Sequence, residues 1–247
     1  MLKSTNTDIY NKLTSTKGKK ISILIDPDKH NTVSLNRLIE LSENVCVDFF
    51  LIGGSLLQCP IEETILKIKE KTNIPLILFP GNLLQLTNKI DAMLLLSLIS
   101  GRNPELLIGN HVIAAPLIKK HNIQSIPTGY ILIGTGKTTS VEYMSNTIAI
   151  PQNKTEIALA TALAGELLGF KLIYMDAGSG AKNPIPTEMI KEVKRNISIP
   201  LIIGGGIKNE KQLEQICLAG ADIIVVGNIF EKKAELIQKF TSIVHQY

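Results

Sequence analysis

The residues with most chemical potential in this 247-residue chain are carboxylates at the ends of apolar runs and the glycine turns beside them. Asp26-Pro27-Asp28-Lys29 ends the first such run, at residues 21–25. A carboxylate there suits Mg²⁺, which takes oxygen ligands and bridges to substrate phosphates. It suits a plain Asx turn equally well. Ser55, after Gly53-Gly54, offers a hydroxyl to the same ion or simply caps a helix. Asp176 ends the run at 171–175, just before Gly178-Ser179-Gly180. It is placed to take a proton from a substrate hydroxyl, or to hold the glycine amides that follow.

Two more turns, Gly204-Gly205-Gly206 and Gly227-Asn228, follow the next two apolar runs. Glycine leaves the backbone bare, so its amides approach an anion closely, and a helix N-terminus behind the turn favours negative charge. One such turn is ordinary strand termination. Three in succession, beginning with Tyr174-Met175-Asp176-Ala177-Gly178-Ser179-Gly180, predict a phosphate site. Arg102, one of three arginines, stands at another run's end, either against an anion or at the surface.

These residues need a frame that brings many strand ends to one face. Apolar runs at 21–25, 47–52, 74–79, 92–98, 124–133, 171–175, 200–203 and 223–226 read as strands. They are continuous rather than alternating, as strands covered on both faces are. Helices are predicted over 34–44, 60–71, 104–121, 154–168, 187–196, 209–218 and 230–245, with a helix-prone lead-in over 1–18 and an irregular stretch over 134–152. Strand and helix alternating in this way predict a (β/α)8 barrel, whose chemistry sits at the C-terminal ends of its strands. The connection at 80–91 barely accommodates a crossover helix, so the third helix is expected to be shortened or missing. On this rim the fourth strand adds Arg102 and Asn103, and the fifth adds Thr128 and Tyr130.

Length suits one domain over 1–247, and 45% hydrophobic residues suffice for a sizeable core. The net charge of +4 is mild, the lysines are scattered and aromatics are few, which argues against nucleic acid. It suits an anionic small substrate, and is compatible with peripheral contact at an anionic membrane. Cys46, Cys59 and Cys217 are odd in number and far apart, and read as reduced core thiols. His30, His111, His121 and His245 lack zinc spacing and read as surface or packing residues. The N-terminus is polar, and the most apolar window, 92–99, falls well short of the ~20 residues a bilayer span needs. A cytoplasmic protein with no integral membrane segment is expected.

Together the motifs resemble the geranylgeranylglyceryl phosphate synthase family, which includes heptaprenylglyceryl phosphate synthases. The resemblance runs nearly the whole length. It is carried by Leu24-Ile25-Asp26-Pro27-Asp28-Lys29, Ile52-Gly53-Gly54-Ser55, Phe79-Pro80-Gly81, Ser100-Gly101-Arg102-Asn103-Pro104, Pro127-Thr128-Gly129-Tyr130-Ile131-Leu132, Tyr174 to Ala181, and Gly204-Gly205-Gly206-Ile207. It implies a barrel that has lost its third helix, and Mg²⁺-dependent transfer of a polyprenyl group from its diphosphate to the 3-hydroxyl of sn-glycerol 1-phosphate. By the same match, Asp26 and Ser55 are metal positions. Tyr174, Met175, Asp176, Ala177, Gly178, Ser179, Gly180, Gly205, Gly206, Gly227 and Asn228 form the glycerol-phosphate site. Asp176 stands where the family commonly has Glu. Members are often dimers or larger, so a homo-oligomer is expected.

On this basis Asp26 holds the metal and the leaving diphosphate across the barrel from Asp176, the base. The prenyl tail is expected beside the missing helix, near Leu83, Leu84, Leu86 and Met93. The alternatives are a phosphate-binding barrel isomerase or lyase, and a non-catalytic phosphate- or prenyl-lipid-binding barrel. The first-strand Asp-Pro-Asp-Lys and the short third connection argue against the former.

Overall fold

The computed structural model describes residues 8–14, 18–134 and 136–247. Its frame is a parallel sheet of β1 (Lys20–Ile25), β2 (Phe49–Ile52), β3 (Leu76–Leu78), β4 (Ala92–Leu98), β5 (Ser125–Gly134), β6 (Ile150–Pro151), β7 (Leu172–Asp176), β8 (Leu201–Gly204) and β9 (Ile223–Val226). β1 pairs with β9 and β4 with β5, so eight strands close into a barrel; the two-residue β6 adds only to the upper end of β5. The sixth, seventh and eighth runs of the sequence are therefore β7, β8 and β9.

Strand side chains alternate in direction. One set fills the barrel: Phe49, Leu51, Ile77, Leu94, Ile126, Tyr130, Leu172, Tyr174, Ile202 and Val225. The other set, including Ile23, Phe50, Met93, Met175 and Ile203, packs under the helices. Ile9 and Leu13, from α1 (Ile9–Thr14), also join the interior cluster. The rest of the expected lead-in lies outside the described residues.

The outer helices begin where side chains satisfy their open amides. Asn31 and Ser34 form a capping box for α2 (Thr32–Asn44). α3 (Ile61–Lys69) follows Pro60, and α4 (Asn110–Lys120) continues from a π-helical turn at Glu105–Gly109. α5 (Ser140–Ser145) stands before α6 (Thr155–Leu167) and α7 (Thr187–Asn196). α8 (Glu210–Leu218) is capped by Asn209, whose side chain accepts from the Gln212 amide.

The third crossover helix is reduced to a 3₁₀ turn, Leu83–Gln85, as the short connection predicts. Three expectations need correcting. The stretch 134–152 holds α5 and β6, because Thr139 and Glu142 make a capping box. The final helix is two, α9 (Asn228–Lys232) and α10 (Leu236–Val244), since the backbone leaves helical geometry at Lys233. Among the cysteines only Cys217 is buried; Cys46 and Cys59 are exposed.

Candidate active site

The turns after β7, β8 and β9 meet on one arc of the C-terminal rim. Gly205 has a positive φ of 82°, and a side chain there would lie 2.7 Å from Asp176 Oδ1 and 2.8 Å from the Gly178 amide. Only glycine allows the β8 turn to lie on the β7 turn this closely. Ser179 Oγ donates to Asn228 Oδ1 at 3.2 Å, tying β7 to β9. At the far side, Gly227 packs on Leu24 of β1.

The amides divide into two groups. Ala177 donates to Gly204 O at 3.0 Å, and Gly178 donates to Asp176 Oδ1 at 2.8 Å. These two are occupied within the turn. The amides of Ser179, Gly180, Gly205, Gly206 and Gly227 donate to no acceptor among the described residues. The phosphate-binding potential of the arc lies with those five. Met175 needs correction, because its side chain is fully buried in the outer layer under the helices and does not face the site. Tyr174 is also fully buried, inside the barrel, stacked on Phe79 at 5.2 Å and edge-on to Tyr130 at 5.4 Å.

Asp176 is 7% exposed. Tyr130 donates to its Oδ2 at 2.6 Å, while Oδ1 takes the Gly178 amide. Burial raises its pKa, and the two hydrogen bonds oppose that in part. Burial beside this carboxylate also holds the Tyr130 and Tyr174 phenols well above their ordinary value, so both stay protonated. Each Asp176 oxygen keeps a free lone pair. Tyr130 lies level with Tyr174 across β5 and β7, but Thr128 lies two residues lower, fully buried, with its hydroxyl given to Ile126 O. Thr128 is therefore not on the rim, because β5 runs on to Gly134.

Asp26 ends β1 half-buried, its Oδ1 accepting from the Asp28 amide at 3.1 Å. Burial pushes its pKa up. A side chain on Gly54 would approach the Asp26 carboxyl to 3.6 Å, so the loop carrying Ser55 lies alongside it. β1 is the direct neighbour of β9, so Asp26 borders the phosphate arc rather than standing across the barrel from it. Among the described residues, Asp26 Oδ2 and Ser55 Oγ make no hydrogen bond, and no cluster of three His, Cys, Asp or Glu side chains forms. These are hard oxygen donors, few in number, and they fit Mg²⁺ completed by substrate phosphates.

Arg102 is exposed and folds back on Gly101 O at 2.6 Å, lining a cleft with Asn103, Asn146 and Thr147. His30, read as surface or packing, is half-buried with an unpartnered Nδ1, and the Asp26 charge acts on it. His111, His121 and His245 bond to Ser97, Asn88 and Asp48 and serve packing.

Four further residues border the site, and of these sequence reasoning named only Phe79. Glu231, on α9, has its pKa raised by burial and by the Asp26 charge. Thr139 lies over Gly178, and its signal was the Thr139-x-x-Glu142 spacing. Phe79 completes the aromatic trio. Gln85 bonds to Gly54 and Gly81. Of the expected tail groove, Leu84 is almost fully exposed and Leu86 half-buried, but Met93 is buried in the outer core. Partly open apolar residues that pack on the barrel's interior cluster include Leu24, Phe79, Leu96, Leu106 and Val141.

Closed parallel barrel and converging glycine turns define a (β/α)8 protein built to receive a ligand at its C-terminal rim. The pattern of the PcrB family matches residues 14–245, and the chain belongs to that family. It is 47% identical over 241 residues to the geranylgeranylglyceryl phosphate synthase of Chitinophaga pinensis, covering 96% of each chain. It is 42% identical to the enzyme of that name from Thermococcus kodakarensis, covering 85% of this chain and 83% of that one. Among solved structures, (S)-3-O-geranylgeranylglyceryl phosphate synthase from Thermoplasma acidophilum, in complex with sn-glycerol-1-phosphate, superposes with a TM-score of 0.90 at 31% identity over 98% of this chain and 99% of that one. An N-acetylmannosamine-6-phosphate 2-epimerase from Clostridium perfringens, at 14% identity and a TM-score of 0.57, shares the fold alone.

Proposed function

We propose that this chain is a prenyltransferase, a single catalytic domain that joins a polyprenyl group, geranylgeranyl in the first instance, to the 3-hydroxyl of sn-glycerol 1-phosphate. The observation that carries this is the juxtaposition of two anion-suited regions. Free amides line the β7–β9 arc, and the Asp26 end of β1 adjoins it.

The glycerol phosphate sits with its anion on the amides of Ser179, Gly180, Gly205, Gly206 and Gly227, which orients the hydroxyl toward the barrel mouth. Asp26 and Ser55 are the residues to hold Mg²⁺. Bound there, the ion supplies positive charge to the departing diphosphate. The allylic C–O bond breaks with its electron pair leaving on the diphosphate. The glycerol oxygen bonds to the freed carbon, and its proton passes to Asp176, whose raised pKa favours accepting it. The tail lies on partly open apolar residues, Phe79 after β3 and Leu106 after β4. The aromatic trio of Phe79, Tyr130 and Tyr174 lies beneath the site, where its π-density favours developing positive charge.

We place the enzyme in the cytoplasm, consistent with surface thiols at Cys46 and Cys59, which a reducing compartment tolerates. No helix among the described residues is long and apolar enough to cross a membrane. We also infer a homo-oligomer, paired through the apolar outer faces of α4 and α6. The test of function is incubation with labelled sn-glycerol 1-phosphate and prenyl diphosphates of several lengths, with and without Mg²⁺. An ether product that requires the metal is expected. Asp26→Ala is expected to cut turnover at least about a hundredfold, with the fold retained. No product with any donor would overturn the assignment.

A further inference from the structure

Gln85 is a polar side chain in an apolar neighbourhood. It closes the 3₁₀ turn that replaces the third helix, between Leu84 and Leu86, and is 3% exposed. A buried amide in such a place costs stability unless both its ends are satisfied. Both are. Nε2 donates to Gly54 O at 2.6 Å, and Oε1 accepts from the Gly81 amide at 3.1 Å. The two backbones it joins are already pressed together, since a side chain on Gly81 would run into Gly54 O and stand 2.9 Å from Ser55 Cα.

The same loop is fastened again at its other end. Asp28 accepts from the Gln58 amide at 2.8 Å and from the Cys59 amide at 3.0 Å. Residues 53–59 thus hang between two polar clamps, one on the turn after β1 and one on the turn after β3. Between the clamps Gly54 lies against the Asp26 carboxyl, where an added side chain would stand 3.6 Å from it, and Ser55 follows directly.

We propose that Gln85 is a positioning residue for the diphosphate end of the reaction. It fixes the Gly53-Gly54-Ser55 loop against Asp26 from the side where the prenyl tail enters. This rests on the assignment of Asp26 and Ser55 to Mg²⁺ and diphosphate made above. The clamp ties the leaving-group end of the site to the turn that replaces helix three. Among the described residues, the glycerol-phosphate arc on β7–β9 makes no bond to Gln85.

The test uses the full chain with Gln85→Met, which keeps the shape and removes both bonds, and Gln85→Glu, which keeps only the acceptor for Gly81. Amide hydrogen exchange of residues 53–59, measured without substrate or metal, reads the clamp alone. KM for the prenyl diphosphate, the Mg²⁺ concentration at half-maximal rate and KM for glycerol 1-phosphate read its role. In Gln85→Met the loop is expected to exchange about tenfold faster, the worth of a buried hydrogen bond. The diphosphate KM and the Mg²⁺ requirement are expected to rise about tenfold, with the glycerol-phosphate KM within about twofold of wild type. Gln85→Glu falls between. Unchanged loop exchange overturns the clamp. Faster exchange with both KM values rising equally, or neither, overturns the link to the diphosphate end. Failure of the underlying assignment looks different: wild-type turnover would ignore Mg²⁺, and the diphosphate KM of Gln85→Met would still decide the positioning role.

Discussion

Asp176 owes its chemistry to its neighbours. A surface aspartate ionises at about 3.8; this one is raised because burial strips water from the charge. Tyr130 and the Gly178 amide pull in the other direction by bonding the ionised form. Tyr130→Phe removes one of those bonds and must raise the pKa further. In the proposed role Asp176 accepts a proton and so must start ionised, and the acid limb of the turnover–pH profile is then expected to move to higher pH in Tyr130→Phe. A limb that stays put would mean another group sets it. A stability consequence follows with the same sign. Between 3.8 and the raised value the folded chain binds the proton that the unfolded chain has lost. This contribution to stability is full below 3.8 and disappears as pH rises through the raised value. Asp176→Asn is expected to abolish that slope in denaturant titrations and to lower turnover; wild-type turnover would remove it as the base. Asp176 and the glycines were legible in sequence, because a carboxylate before a glycine turn keeps its meaning wherever the strand ends. The bond of Gln85 to Gly54 and the contact of Thr139 with Gly178 were not, because those partners are distant in sequence.

At the scale of elements, strands and most helices follow from local patterning, and the reduced third helix follows from connection length. The segment after β5 was misread because its apolar content is low, although Thr139 and Glu142 carry a reciprocal cap. That cap does more than start α5. It lays Thr139 over Gly178, where a side chain would meet the threonine methyl at 2.7 Å. α5 therefore roofs the Asp176 turn. Thr139→Ala is expected to lower stability by about 1 kcal/mol, the usual worth of such a cap. It shows as a lower urea midpoint with an unchanged slope. An unshifted midpoint would mean that the turn holds α5 without its cap. The broken last helix has a functional side that the periodicity hid. Stopping α9 at Lys232 leaves a short helix whose Glu231 feels the Asp26 charge.

For the molecule as a whole, the sequence implied the barrel through its eight continuous apolar runs, but it gave no sign of how unevenly the outside is finished. α7 buries Met189, Ile190 and Val193 and turns charges to solvent. α4 and α6, neighbours around the barrel, do not follow that pattern. Residues 106–118 and 157–165 contain no charged side chain. Ile108, Val112, Ile113, Leu117, Ile157, Leu167 and Leu168 are all exposed, Leu167 at 87%. Together they present on the order of 700 Å² of apolar surface, near the ~800 Å² that each partner contributes to a standard interface. A monomer rarely leaves a patch of that size open. The proposed homo-oligomer would use a second copy of the chain to cover most of it with the same charge-free strips. Light scattering of the wild-type protein is expected to give a multiple of 27.0 kDa. Ile113→Lys combined with Leu167→Lys puts two buried like charges into each half of that contact, and is expected to give the 27.0 kDa monomer with its circular dichroism unchanged. A wild-type protein already at 27.0 kDa would overturn the pairing. An oligomer untouched by the double variant would move it to another face.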